Sequence, residues 1–301
     1  MNDTDQYCLL SNDIQLCYRV DGAAGEPLLL VGGLGWDLAA WPDALVSGLV
    51  QQGFRVVRFD NRDCGRSSTV DAPAPHTLRL MTGRLRDAPY DLGDMAADAV
   101  GLLNHLRIDR AHLVGMSMGG MIAQTVAARH PDRVTSLTSI FSTTGHPRVG
   151  QPALSTMLML GRPPARTPEA ALEREVALRR HIAARGFPFD AEDTRRSVAA
   201  SLARVDDPDP RARVARQVAA IRVSGDRTAE LRDVIAPTLV IHGADDRMVN
   251  PSGGTATLHA ITGARLHVIR GMGHDFAAPV VPRIVDLVAE HAKAATVSAR
   301  R

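Results

Sequence analysis

The chain has 301 residues, 45% of them hydrophobic, which is enough to bury one large core or a core with a cap. Lysine and arginine total 35 against 33 aspartates and glutamates, and the resulting formal charge of +2 provides no global field for nucleic acid. No run approaches the ~18 apolar residues of a spanning helix, and the polar first eight residues lead into no apolar stretch of signal length.

The expected compartment is therefore the cytoplasm. Along the chain, apolar strand candidates alternate with amphipathic stretches, the pattern of a mostly parallel sheet covered on both faces. Strands are expected over residues 14–20, 27–31, 54–59, 111–116, 134–141, 238–242 and 266–269. The second run continues as Gly32-Gly33-Leu34-Gly35-Trp36, in which the glycines match neither GxGxxG nor a Walker pattern, and no Lys-Ser or Lys-Thr pair follows. A nucleotide site is not expected there. Helices are predicted over 92–106, begun near Asp91, and over 118–129. The segment 147–232 breaks the alternation: rich in helix formers and poor in strand candidates, it reads as a helical cap between core residues 1–146 and 233–301. It carries 16 arginines and 11 acidic residues, a net +5. A solvated face is the simpler reading, and attraction to an anionic head group, phospholipid surface or coenzyme A tail the sharper one. Within it, Leu154-Ser155-Thr156-Met157-Leu158-Met159-Leu160 suits either packing between cap and core or an adaptable acyl-chain lining. A last helix is expected over 282–293, with residues 294–301 fraying.

The chemistry concentrates at strand ends. Directly after the run Ala111-His112-Leu113-Val114 comes Gly115-Met116-Ser117-Met118-Gly119, a GxSxG pattern that suits a nucleophile elbow, where a strand turns sharply into a helix and presents one serine oxygen. Ser117 is the candidate nucleophile. A serine hydroxyl needs a base to take its proton and an acid to orient that base. After 238–242 comes Gly243-Ala244-Asp245-Asp246-Arg247, a turn with two adjacent carboxylates, and after 266–269 comes Gly271-Met272-Gly273-His274-Asp275. His274, in a glycine-flanked loop, is the candidate base, whereas His267 lies inside a strand and reads as structural. The oxyanion of an acyl-transfer intermediate needs backbone donors. Met118, at a helix start, is one, and Leu34, with Gly33 as the alternative, is the other. The cysteines Cys8, Cys17 and Cys64 are odd in number and lack metal-ligand spacing, so free thiols and no metal are expected, with Cys64 either packing or a reactive thiol near the site. Lys293 is the sole lysine, and with heavy alanine use this suggests a GC-rich bacterial genome.

Residues 14–142 and 234–290 resemble an α/β-hydrolase core, and Phe59-Asp60-Asn61-Arg62-Asp63-Cys64-Gly65-Arg66-Ser67-Ser68 is similar to the turn after the fourth strand in that superfamily. Together with Val31-Gly32-Gly33 and the GxSxG pentapeptide, this turn is most similar to the subgroup of aclacinomycin methylesterases and mycobacterial Lip-type (LipG-like) esterases. The resemblance implies an α/β-hydrolase fold with a mostly parallel eight-stranded sheet flanked by helices, a cap inserted late in the core, and a Ser117, Asp246, His274 triad. It favours Asp246 over Asp245, because similar hydrolases place the acid three residues after the glycine and three before an apolar residue, here Val249. Two departures are Gly32, where many relatives carry histidine, and a long connection over 71–89.

The implied activity is hydrolysis of carboxylic esters by a serine hydrolase, with no cofactor and a small-molecule ester or acyl compound as partner. A serine at the elbow, where dehalogenases and epoxide hydrolases of this fold place aspartate, argues against both. Thioesters and phospholipid acyl esters come next, the latter with peripheral lipid contact. The remaining alternatives are a carbon-carbon bond hydrolase or cofactor-free perhydrolase on the same triad, and a low-turnover ligand receptor on the same scaffold.

Overall fold

A computed structural model of the chain describes residues 4–75, 88–162, 165, 167–183, 185–205, 207 and 209–299. Residues 76–87, most of the long connection noted at 71–89, lie outside the described residues.

Eight strands form one sheet: β1 (Gln6–Leu9), β2 (Gln15–Asp21), β3 (Glu26–Val31), β4 (Phe54–Phe59), β5 (Ala111–Met116), β6 (Val134–Ile140), β7 (Thr238–Gly243) and β8 (Arg265–Ile269). Their order is β1-β2-β4-β3-β5-β6-β7-β8, antiparallel across β1/β2 and β2/β4 and parallel elsewhere. Period-two alternation divides the core in two. Leu29 and Val31 of β3 and Leu113 of β5 point into one cluster, and Leu28, Leu30, Val114 and Met116 into the other. Both sheet faces are covered, which is why the central strands read as continuous apolar runs.

Among the described residues the helices are α1 (Asp43–Gln51), α2 (Leu92–His105), α3 (Met118–Arg129), α4 (Leu154–Leu160), α5 (Pro168–Ile182), α6 (Ala191–Ala203), α7 (Pro210–Ser224), α8 (Ser252–Ala260) and α9 (Val281–Ala299). The predicted start of α2 is explained by Asp91, which accepts from the amides of Gly93 and Asp94 while the Asp94 carboxylate accepts from the Asp91 amide, a capping box. α1 and α9 pack on one face of the sheet, and α2 and α3 on the other. Four helices, α4 to α7, lie between β6 and β7.

Four expectations need correction. A strand at 6–9 went unpredicted because it is a short, half-exposed edge. α9 runs on to Ala299, so the tail up to that residue is helical rather than frayed; Ala292 and Ala295 are buried against the sheet side. The cationic residues between β6 and β7 are not simply a solvated face, since Arg204, Arg213, Arg216 and Arg227 are buried. Nor is the methionine-rich α4 ordinary filling: only Thr156 is buried, its hydroxyl donating to the Arg247 carbonyl at 3.0 Å, while Leu154, Met157, Leu158 and Leu160 are exposed.

Candidate active site

The chain leaves β3 for β4 on one side and returns to β5 on the other, so β3 and β5 flank the point where an α/β sheet opens a crevice at its carboxyl edge. In register Val31 lies beside Gly115, which carries residues 32–36 alongside residues 116–119. A Cβ built on Gly33 would stand 3.2 Å from Cβ of Ser117, so the glycine loop reaches the candidate nucleophile.

Ser117 has φ 54° and ψ −121°, a conformation that non-glycine residues rarely adopt and that functional turns hold under strain. Its amide donates to the Ile140 carbonyl at 2.9 Å, and its carbonyl accepts from the Ser142 hydroxyl at 2.8 Å. Close approach dictates the flanking glycines: a Cβ on Gly115 would lie 2.2 Å from the Gly119 oxygen, and one on Gly119 would lie 2.0 Å from the Val31 oxygen. α3 begins at Met118, and the Ser117 side chain does not cap it, so the first-turn amides and the positive end of the helix face the elbow.

Of the two candidate carboxylates, Asp245 is exposed and Asp246 is buried. Asp246 Oδ1 accepts from the amides of Met248 and Val249, both at 2.8 Å, and Oδ2 lies 2.8 Å from Nδ1 of His274. Burial pushes this carboxyl up, but the charge of His274 and hydrogen bonds from His242 and His274 outweigh it and hold the group at about 2. His274 donates its backbone amide to the Ile182 carbonyl of α5 at 2.8 Å, and its ring packs 5.3 Å from that of Phe141. Phe141 follows Ile140, the acceptor for Ser117, so one strand end anchors both the serine and the histidine. Phe141 itself sits at φ 52°.

The sequence reading missed His242. It is fully buried, with Nε2 2.9 Å from the Val249 carbonyl and 3.4 Å from Asp246 Oδ2, which makes it a second ring on the same carboxylate. Its signal was its place four residues before Asp246 at a strand end. His267, read as structural, lies in β8, where Arg283 donates to its Nε2 at 2.7 Å. Cys64 is buried and unpaired, as are Cys8 and Cys17. Burial first, then the charges of Asp60 and Asp37, pushes the Cys64 thiol well above its ordinary value, which removes the reactive-thiol option.

A family model described as alpha/beta hydrolase fold matches residues 26–277. A rhodomycin D methylesterase from Streptomyces peucetius is 34% identical over 297 residues, spanning 91% of this chain and 93% of that relative. The rhodomycin D methylesterase of Streptomyces sp. (strain C5) is 33% identical over 296 residues, with the same coverage of 91% and 93%. Among solved structures, a hydrolase from Pseudomonas aeruginosa superposes with a TM-score of 0.71 at 25% identity, covering 96% of this chain and 98% of that one.

Proposed function

The chain belongs to the α/β-hydrolase family, and from that premise we propose that it cleaves carboxylic esters through an acyl-enzyme, with Ser117 as nucleophile, His274 as base and Asp246 as orienting acid. The observation that carries this reading is the buried Asp246 carboxylate bonded to His274 Nδ1 at 2.8 Å, on the same sheet edge as a serine held in a strained elbow. The names of the two rhodomycin D methylesterases, at 34% and 33% identity, support oxygen esters above thioesters and carbon-carbon bonds.

With Nδ1 engaged by Asp246, proton exchange falls to Nε2 of His274. Nε2 takes the Ser117 proton as Oγ attacks the ester carbonyl, and the oxygen that becomes negative is received by the amides of Met118 and Leu34, with Gly33 the alternative to Leu34. Collapse breaks the bond to the alkoxy group, which leaves as the alcohol with the proton from Nε2. Water then loses a proton to Nε2 and attacks the acyl carbon, and the second collapse releases the acid and returns the proton to Ser117. Asp246 stays ionised throughout and stabilises the imidazolium.

Residues 147–232 act as a cap on a core of 1–146 and 233–301, and the substrate is a small-molecule ester handled in the cytoplasm. Among the described residues no helix is long and apolar enough to cross a membrane. Peripheral lipid contact is a second reading, carried by α4: its apolar side faces out, and residues 133–168 contain arginines but no carboxylate. Sedimentation with phosphatidylglycerol vesicles, lost in Met157→Asp/Leu158→Asp, supports it; equal recovery in the supernatant with and without vesicles rejects it.

The test of the main reading is steady-state release of p-nitrophenol across acyl lengths, beside coenzyme A thioesters and phospholipids. Turnover of oxygen esters that vanishes in Ser117→Ala is expected. Saturable binding without turnover would favour the receptor.

A further inference from the structure

The two oxyanion donors differ in how they are held. The Met118 amide is fixed by β5 on one side and α3 on the other, whereas Leu34 sits in a loop with its side chain exposed. Many hydrolases of this type carry a histidine at the position of Gly32, and here no side chain fits in the observed backbone, because a Cβ would lie 2.5 Å from the Trp36 oxygen.

The loop closes as a four-residue turn, with the Trp36 amide donating to the Gly33 carbonyl at 3.1 Å and Gly35 at φ 62° in the third position. A turn with positive φ at its third residue leaves its middle peptide plane, between Leu34 and Gly35, without a partner inside the turn. That plane can flip at small cost unless something outside holds it. Gln217 of α7 does so, its Oε1 accepting from the Gly35 amide at 2.9 Å while its Nε2 donates to the Arg62 carbonyl at 2.8 Å. One partner is a donor and the other an acceptor, so the carboxamide fits in one orientation only. Gln217 is fully buried. A second anchor comes from Asn61, whose Nδ2 donates to the Gly32 carbonyl at 3.0 Å.

α7 itself is bolted to the turn after β4. Arg213 donates to the Gly65 and Ser67 carbonyls at 3.1 and 3.0 Å, and Arg216 grips Asp63 through two nitrogens at 2.8 and 2.6 Å. Arg213, Arg216 and Gln217 are spaced i, i+3, i+4 and so lie on one helical face.

We propose that Gln217, a residue of the inserted helices, is the positioning residue for the second oxyanion donor: by tying the Gly35 amide to α7 it fixes where the closed turn sits as a unit, and with it the Gly33–Leu34 peptide that carries the Leu34 amide. The reading rests on the ester-hydrolase assignment and extends it by making the docked position of α7 a condition of transition-state stabilisation. The helices between β6 and β7 thereby act on the reaction rate as well as on substrate shape.

The experiment compares wild type with Gln217→Leu, Gln217→Ala and Gln217→Glu. It measures kcat and KM on a p-nitrophenyl ester, and affinity for a trifluoromethyl ketone, which forms the tetrahedral oxyanion, against the corresponding methyl ketone. In Gln217→Leu and Gln217→Ala, kcat and trifluoromethyl ketone affinity should fall roughly 100-fold, the scale of a lost or misplaced oxyanion donor. KM and methyl ketone affinity should stay within about threefold. Gln217→Glu keeps the acceptor for Gly35 and should recover about tenfold of the loss, which a purely structural role for the glutamine would not produce. Should Leu not fold, Ala, which leaves room for water, carries the test. Folded variants with kcat within threefold of wild type, or with both ketones weakened equally, overturn the inference. A wild type that neither turns over esters nor labels at Ser117 with a fluorophosphonate overturns the esterase reading instead.

Discussion

Replacing Asp246 with asparagine tests the acid assignment more sharply than deletion, because the shape is conserved and only charge and one acceptor change. The Oδ1 position would still accept from the amides of Met248 and Val249. The other position, now an amide nitrogen, would face His274 Nδ1 at 2.8 Å and His242 Nε2 at 3.4 Å. His242 already uses Nε2 as a donor to the Val249 carbonyl, so two donors would oppose each other there. Toward His274 the new N–H must donate, which forces the imidazole into the tautomer with its proton on Nε2. That ring cannot accept the Ser117 proton. A wrong tautomer of this kind costs about 10⁴ in kcat, on the order of 5 kcal/mol of barrier. Steady-state turnover of p-nitrophenyl butyrate at neutral pH reads the effect, with Asp245→Asn as the exposed control expected within twofold of wild type. An Asp246→Asn enzyme within tenfold of wild type, or an Asp245→Asn enzyme that loses more, refutes the assignment.

His242→Leu keeps the buried volume but removes the second donor to Asp246, and we expect kcat to fall about tenfold with KM unchanged, read in the same assay. An effect on KM alone would place His242 outside the triad's support. Acid unfolding should also report Asp246 and Asp5, both held at about 2, Asp5 because hydrogen bonds from Arg19 and Arg66 and the charge of Arg204 outweigh its burial. Since their folded values lie below the ordinary 3.8, their stabilisation is fully present above that value and is lost as pH falls toward 2. Urea midpoints measured from pH 5 down to 2 should drop through that window, and a flat profile would refute it. Burial pushes the Cys8, Cys17 and Cys64 thiols up, Cys17 to about 12, so the native protein should leave a chromogenic disulfide reagent unreacted at pH 8 and release three equivalents when unfolded. A fast-reacting native thiol would contradict the packing.

The residues legible in the sequence share a cause. The candidates Ser117, Asp246 and His274 each come shortly after an apolar strand run and within three residues of a glycine, so strand pattern, turn chemistry and reactive type coincide over a short stretch. β5 and β7 were readable because both sheet faces are covered; β1 was not, since Gln6 to Leu9 lie half exposed on an edge and carry no run. Gln217 left no local trace. Its partner Gly35 is 182 positions away, and its own neighbours Arg213 and Arg216 look like an exposed basic stripe. Only the three-dimensional meeting of α7 with the turn after β4 shows that this stripe faces inward. Gly32 illustrates the opposite case: the departure from the family pattern was visible, but the support that replaces it, Asn61 and Gln217, was not.

The inward stripe raises a physical question, because burying two guanidinium groups costs more than burying two leucines unless nearly every N–H finds an acceptor. Arg216 meets that condition with Asp63 and the Ala72 carbonyl, and Arg213 with two carbonyls of the same turn, while its Nε makes no hydrogen bond but lies 3.9 Å from the Asp207 carboxylate. An apolar face would dock α7 at lower cost, but a greasy contact tolerates a slide of an ångström or a few degrees of roll. Directional bonds do not: turning the helix by one residue, ~100° and 1.5 Å, would break all of them together. An oxyanion donor works only when aimed within roughly half an ångström. On the proposed mechanism, the costly polar seam is placed where positional accuracy matters more than net binding, between the inserted helices and the loop assigned to aim an amide at the developing charge.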